Sequence, residues 1–178
     1  MELLNFDNLM AVLQEYAQEV RNLYQDNLIR NDRIATGGLL NSVEYQVMFN
    51  GVAYEVQLKL EEYWKYVEED TKPHWPPMNK ILEWISAKPI IPRPDDRGRI
   101  PTPKQLAFLI GRAMAGKSPN QSNLKNPNGG TEGTHDLQSA IEVVNARYRD
   151  KIVYAIGKDT EVITKVILGG IKGAVPSA

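Results

Sequence analysis

The feature that most constrains the fold is a pair of alternating segments that meet at an Asn-Gly dipeptide. Residues 43–49 and 52–58 place an apolar side chain at roughly every second position, and Asn50 and Gly51 lie between them. A period of two is typical of a strand with one buried face, and Asn-Gly favours a two-residue type I′ turn with positive φ at both positions. The sequence therefore predicts an antiparallel β-hairpin.

Helical patterns flank the hairpin on both sides. Apolar residues recur at three- and four-residue steps from Leu9 to Leu28, after Asp7 as a candidate N-cap, and the same spacing returns from Leu137 to Ile152. Gly157 is expected to kink or break this final helix. These patterns predict an α+β fold, in which a small antiparallel sheet packs against N-terminal and C-terminal helices and a helical and loop insertion interrupts the chain.

The predicted organisation is a single domain of 178 residues. Its core is expected to comprise about residues 1–75 and 135–168, with the insertion at about residues 89–134. Within the insertion, residues 88–101 contain four prolines and predict an extended basic loop. Thr102 and Gln105 then fit a capping box that opens a helix. Residues 118–134 are rich in Asn, Ser, Gly and Pro, and we expect them to be mobile in an isolated subunit.

Composition excludes several classes of function. The chain has no cysteine, which rules out disulfides and thiolate metal sites, and its formal net charge of −1 gives no general affinity for nucleic acid. His74 and His135 lack ligand partners at helical spacing. No apolar run is long enough to span a bilayer. We therefore expect a protein that assembles in the cytoplasm, with no cofactor and no membrane partner.

One motif has the form of a nucleotide-binding loop. Residues 111–118 match G-x-x-x-x-G-K-[ST], with Gly111, Gly116, Lys117 and Ser118 at the defining positions. That loop must follow a strand and precede a helix. Here a helical pattern precedes it and Pro119 follows it. Gly116 is better interpreted as the glycine that ends a helix, and a P-loop-like nucleotide-binding module is kept as the alternative function.

Two further segments carry a resemblance. Residues 36–43, TGGLLNSV, look like the T-G-x-L-x-x-S-[IV] signature of tailed-bacteriophage tail-completion and head–tail connector proteins. Residues 63–71, YWKYVEEDT, resemble the Y-A-x-Y-V-E-x-G-T segment of the same family. Residues 101–112 are similar to longer forms in crAss-like phages. Asp70 departs from the family glycine, which puts the local backbone there in doubt.

The resemblance implies a structural neck protein and not an enzyme. Such a protein would form a homo-oligomeric ring of 12 or 6 subunits in the virion, join the portal to the tail and help to retain DNA. The sequence does not decide whether the lumen of the ring touches that DNA. No catalytic residue is implied. The matching positions are expected to build the fold, with Tyr66 and Val67 packed under the sheet and Glu68 facing outward. The motif residues are Thr36, Gly37, Leu39, Ser42, Tyr63, Tyr66, Val67, Glu68 and Thr71.

Opposite charges suggest how subunits could meet. Residues 61–70 hold five carboxylates against one lysine, a net charge of −4, and residues 88–112 have a net charge of +4. A ring needs one patch to meet a different patch on the next subunit. The predicted interface residues are Glu61, Glu62, Glu68, Glu69, Asp70, Arg93, Arg97 and Arg99. Two alternatives remain: the basic loop could face the portal or DNA, and the chain could be an adaptor that binds a peptide along the hairpin edge.

Overall fold

The computed structural model describes residues 6–34, 37–88, 90–95, 97–117 and 128–173. The fold in these residues is α+β, as the sequence predicts, with six helices and one two-stranded antiparallel sheet. The elements are, in chain order, α1 (Asp7–Arg30), α2 (Gly38–Ser42), β1 (Glu44–Phe49), β2 (Tyr54–Lys59), α3 (Trp64–Glu68), α4 (Met78–Ala87), α5 (Pro103–Met114) and α6 (Asp136–Gly173).

The contacts of the chain group into two compact units. The first comprises Met1–Asn27, Val43–Leu60 and Leu137–Ala178, and the second comprises Leu28–Ser42 and Glu61–Asp136. Each unit is described separately below. The single domain stays a prediction, because a grouping of contacts does not show whether either unit folds alone.

In the first unit, α1 packs against α6 through the stripes that the periodicity predicts. Ala17, Val20 and Tyr24 on α1 are buried, and so are Ala140 and Val144 on α6. Small residues on both helices allow a close approach of the two backbones.

Polar contacts border this helix pair. The Tyr16 hydroxyl donates to Oδ1 of Asn145 at 2.9 Å, and the rings of Tyr16 and Tyr148 meet edge to face. Arg147 pairs with Glu19 at 2.5 Å. The hydrogen bond from Arg147 is the largest cause of the lowered pKa of Glu19. These contacts fix the rotation of each helix about its own axis.

The hairpin completes the first unit, but its turn is longer than predicted. The register pairs Glu44 with Lys59 and Phe49 with Tyr54, which leaves four residues in the loop. The Asn50 side-chain oxygen accepts from the backbone N–H groups of Val52 and Ala53, both at 2.9 Å. The prediction of a two-residue turn was wrong, because this Asx-type bonding stabilises the longer loop.

One face of the hairpin is partly buried. Tyr45 and Val47 on β1 share this face with Val56 and Leu58 on β2, and all four are half-buried. The Phe6 ring meets the Tyr54 ring edge to face, 6.2 Å between centroids. The hairpin is therefore packed at the start of α1.

A kink or a break was predicted at Gly157, and the break is wrong. α6 runs without interruption from Asp136 to Gly173. One glycine costs a helix only about 1 kcal/mol, and without proline nearby that is too little to end it.

In the second unit, α4 and α5 form a helix pair. Ile81 and Ala107 are buried in it. Gly111 faces Ile81 and Trp75, and a Cβ there would make ordinary van der Waals contacts at 3.5 and 3.6 Å, so this packing does not require glycine. The capping box at Thr102 is confirmed, with both reciprocal hydrogen bonds to Gln105 present.

Candidate functional site

The first motif segment is bonded to the chain just before the second. The Ser42 hydroxyl donates to the backbone oxygen of Leu39 at 2.9 Å and accepts from the backbone N–H of Glu61 at 3.1 Å. The first bond closes the short helix α2, and the second joins it to the start of the acidic segment. Ser42 thus satisfies nearby backbone groups, as predicted.

The rest of the first motif builds a tight turn into the core of the second unit. Gly37 has a φ of +79°, a conformation that an L-residue would strain, and Leu39 is buried. These two predicted roles are confirmed. Thr36 lies outside the described residues.

Both motifs line one cavity of about 320 Å³. Gly37, Leu39 and Leu40 border it from the first motif, and Tyr63, Tyr66 and Val67 from the second. Its remaining walls come from the end of α1, from α4 and from the segment before α6: Leu28, Asp32, Arg33, Ile34, Trp84, Lys88, Thr131, Glu132 and Thr134. We call this space the motif cavity.

The rim of the motif cavity is aromatic. Tyr63, Tyr66 and Trp84 are 41%, 71% and 40% exposed, so large apolar surfaces face solvent at the opening. Lys88 pairs with Asp32 at the same rim, 2.9 Å from Nζ to Oδ2. The cavity therefore offers apolar contact with a polar edge, an arrangement suited to binding a side chain or a peptide segment.

The predicted orientations on α3 are reversed. Glu68, expected to face outward, is 4% exposed, and Tyr66, expected to be packed inside, is largely exposed. The segment before α6 covers Glu68, because the backbone N–H groups of Thr134 and His135 donate to the backbone oxygens of Val67 and Glu68. Glu68 therefore does not belong to the exposed acidic surface.

The second motif ends in an isolated β-bridge. Thr71 pairs with Thr131 through backbone bonds, and their hydroxyls are 2.7 Å apart. Asp70, which stands where the resembling motif has glycine, is not among the described residues with positive φ. Its Oδ1 accepts from the backbone N–H of Gly133 at 2.8 Å. This position needs no glycine conformation here, and the aspartate serves as an acceptor.

Sequence analysis missed the contribution of residues 128–134. They contact α3, Thr71 and the end of α5. This part of the predicted mobile loop therefore makes its contacts within the chain. Residues 118–127 lie outside the described part. Cβ atoms at Gly130 and Gly133 would lie 2.1 Å from the backbone oxygens of Thr71 and Glu68. The glycine pair after Asn128 was the available signal, since paired glycines often mark a close backbone approach.

The predicted charged patches are exposed apart from Glu68. The acidic patch retains Glu61, Glu62, Glu69 and Asp70, and the basic patch contains Arg93, Arg97 and Arg99. Arg99 is already paired with Asp95 at 2.8 Å. The hydrogen bond from the Arg99 backbone is the largest cause of the lowered pKa of Asp95, followed by the bond from its side chain.

Residues 111–117 of the nucleotide-like motif form the end of a helix. Gly116 has a φ of +66°, and its N–H bonds to the oxygen of Ala113 while that of Lys117 bonds to the oxygen of Arg112. These are the two bonds of a Schellman motif. Gly111 lies within α5, so the strand that a phosphate-binding loop requires does not precede the motif. Ser118 is outside the described residues.

Within the described residues, no group of three His, Asp or Glu side chains is placed to hold a metal ion. In the same part of the chain, no helix combines the length and apolar character that crossing a membrane requires. A comparison with family models, curated proteins and solved structures found no match to this chain.

Proposed function

We propose that this chain is a structural protein of a tailed-bacteriophage neck, which forms a homo-oligomeric ring between the portal and the tail. In this proposal it carries no catalytic activity, its partners are copies of itself together with portal and tail proteins, and it resides in the virion.

The observation that carries the proposal is the meeting of the two motif segments. They lie about 20 residues apart in sequence, with the hairpin between them, yet both line the motif cavity, and Ser42 bonds to Glu61, two residues before the second segment. Two weak sequence patterns that build one structural feature support a shared origin more strongly than either pattern alone.

The exposed surface of the second unit supports an assembly role. The two tyrosines in the aromatic rim of the motif cavity lie within the acidic segment, and the basic patch comes from a different part of the chain. A heterologous contact joins two unlike surfaces, and it produces a ring when the rotation closes. Electrostatic complementarity of this kind favours correct orientation of the subunits.

The proposal is tested by the mass of the purified protein. Mass photometry and negative-stain microscopy, with and without the portal of the same phage, should show closed rings of one stoichiometry. A protein that stays monomeric at every concentration, alone and with portal, would contradict the proposal. Portal, capsid and tail genes beside the coding sequence would be an independent result in its favour.

A further inference from the structure

Among the described residues of the second unit, Ile91 is the most exposed large apolar side chain. It is 90% exposed, although isoleucine is among the residues most often buried. It lies in a described segment without helix or strand, residues 90–95, where Pro92 and Pro94 restrict φ. An apolar side chain on a stiff extended segment loses little conformational entropy when it binds.

This segment is held at both ends. At its start, the Ile90 backbone N–H donates to the backbone oxygen of Lys88 at 2.7 Å. At its end, the Asp95 carboxylate accepts from the backbone N–H groups of Arg97 and Arg99 at 3.0 and 2.8 Å. Hydrogen bonds on both sides of Ile91 therefore hold the backbone that exposes this side chain.

The motif cavity has the chemistry to receive such a segment. Tyr63, Tyr66 and Trp84 form an aromatic rim, and proline-rich extended peptides dock in aromatic-lined grooves. Its volume of about 320 Å³ exceeds that of an isoleucine side chain. Ile91 of the same chain does not line the cavity, although Lys88, three residues earlier, does.

The charges beside Ile91 and beside the cavity also favour a contact between them. Arg93 and Arg97 follow Ile91 and are exposed, while Glu61, Glu62 and Glu69 are exposed on either side of the tyrosines that line the cavity. A segment that inserts Ile91 would bring its arginines towards carboxylates. The same loop from another copy supplies both the apolar and the charged partner.

We propose that Ile91 and Pro92 of one copy insert into the motif cavity of the next copy. This contact deepens the proposed ring function and rests on it. It is heterologous, because the loop of each copy binds the cavity of its neighbour, and repetition of one such contact produces a ring when the rotation between copies closes.

Because the chain contains no cysteine, cross-linking between two introduced cysteines tests this contact. Two single variants of the full protein, Ile91→Cys and Tyr66→Cys, are mixed under mild oxidation, and a mixed disulfide forms faster than by random collision when the two residues meet between copies. Val52→Cys mixed with Tyr66→Cys is the matched control, because Val52 is 92% exposed on the hairpin turn. We expect the first mixture to cross-link at least about tenfold faster than the control, since a docked pair has a high effective concentration.

A second measurement uses a variant in which a charge replaces the Ile91 side chain. Ile91→Glu should weaken self-association by about tenfold or more, because a charge would have to enter the apolar cavity, and Val52→Glu should leave association unchanged. Both positions are almost fully exposed, so neither change should affect folding. Oligomers that form without cross-linking above control would overturn the contact and leave the ring proposal standing, whereas a protein that never associates would overturn both.

Discussion

Asp159 is a buried carboxylate that joins the two long helices of the first unit. Its oxygens accept the backbone N–H groups of Asn8 and Leu9 at 3.1 and 2.8 Å, and the Asn8 side chain at 2.6 Å. The first-turn N–H groups of a helix have no partner within that helix. Asp159 therefore acts as an N-terminal cap of α1, supplied from α6.

The pKa of Asp159 reflects this arrangement. Burial acts to raise it, but the hydrogen bonds from Asn8 and Leu9 outweigh burial, and the net pKa is lowered. A lowered folded-state pKa stabilises the fold above the unfolded-state pKa of about 3.9, and this contribution disappears as pH falls through the folded value.

Replacement of Asp159 by Asn should therefore destabilise the protein at pH 7 by about 1–3 kcal/mol, because the amide keeps one acceptor oxygen for two backbone N–H groups and leaves a buried donor unsatisfied. Below about pH 4 the difference from the native protein should shrink, because the native carboxyl is then protonated in the unfolded chain and increasingly so in the folded one. Urea denaturation at pH 7 and pH 3 measures both effects. Asp150→Asn, exposed on α6, is the control and should change stability by under about 0.5 kcal/mol. An equal loss at both pH values would contradict the role of the charge.

The burial of Glu68 could not be predicted from the residues next to it in sequence. Its acidic neighbours indicate a solvated face, and local sequence holds no sign that residues 133–135 cover it. Ser42 and Gly37 were predictable because their roles are local, a nearby backbone bond and a positive φ. The burial of Glu68 depends on chain more than 60 residues away.

At the scale of elements, two glycines with opposite surroundings give a matched test. A Cβ at Gly157 would meet nothing within 4 Å, whereas one at Gly133 would lie 2.1 Å from the Glu68 backbone oxygen. Gly157→Ala should stabilise the protein by about 0.5–1 kcal/mol through helix propensity. Gly133→Ala should destabilise it by about 1–3 kcal/mol, because backbone must shift. Chemical denaturation measures both, and equal effects of one sign would show that the packing of residues 128–134 differs from that described.

A substitution at Gly116 tests whether residues 111–117 form the end of a helix and not a nucleotide-binding loop. Gly116→Ala should destabilise the protein by at least about 1–2 kcal/mol, because φ is +66° and a Cβ would lie 2.5 Å from the Asn128 oxygen.

Lys117→Ala, at an exposed position, should change stability by under about 0.5 kcal/mol and leave assembly intact. Calorimetric titration with Mg-ATP is the decisive measurement. Micromolar affinity that Lys117→Ala removes would favour the nucleotide-binding module.

The helices and strands were the most predictable level of the structure. α1, α6 and the hairpin follow from repeated apolar spacing, and the start of α5 follows from Thr102 and Gln105. The hairpin loop was not predictable from Asn-Gly alone, because the Asn50 side chain can bond two later amides and stabilise a longer turn. The motif cavity was not predictable either, since it needs contacts between segments that periodicity does not relate.

At the scale of the whole molecule, the charged patches remain the predicted subunit contact, with two changes of membership. Glu68 is buried, so it leaves the acidic patch, and Arg99 already pairs with Asp95. Arg93 and Arg97 are then the exposed cations best placed to act between copies. Exposed pairs contribute up to about 1 kcal/mol each and are screened by salt, so the patches should affect specificity more than total affinity.

Charge reversal on both sides tests this contact. Arg93→Glu with Arg97→Glu should weaken assembly at low salt, because like charges would then face each other across the interface. Adding Glu62→Lys with Glu69→Lys to the same chain should partly restore it, since every contact regains opposite charges. Arg149→Glu with Lys151→Glu, exposed on α6 and outside both patches, controls for the change in net charge. Mass photometry at two salt concentrations gives the oligomer fraction for each variant. Disruption by the first pair without rescue by the second would mean that the basic patch meets another partner, such as portal or DNA, and rescue would place the acidic patch of one copy against the basic patch of the next.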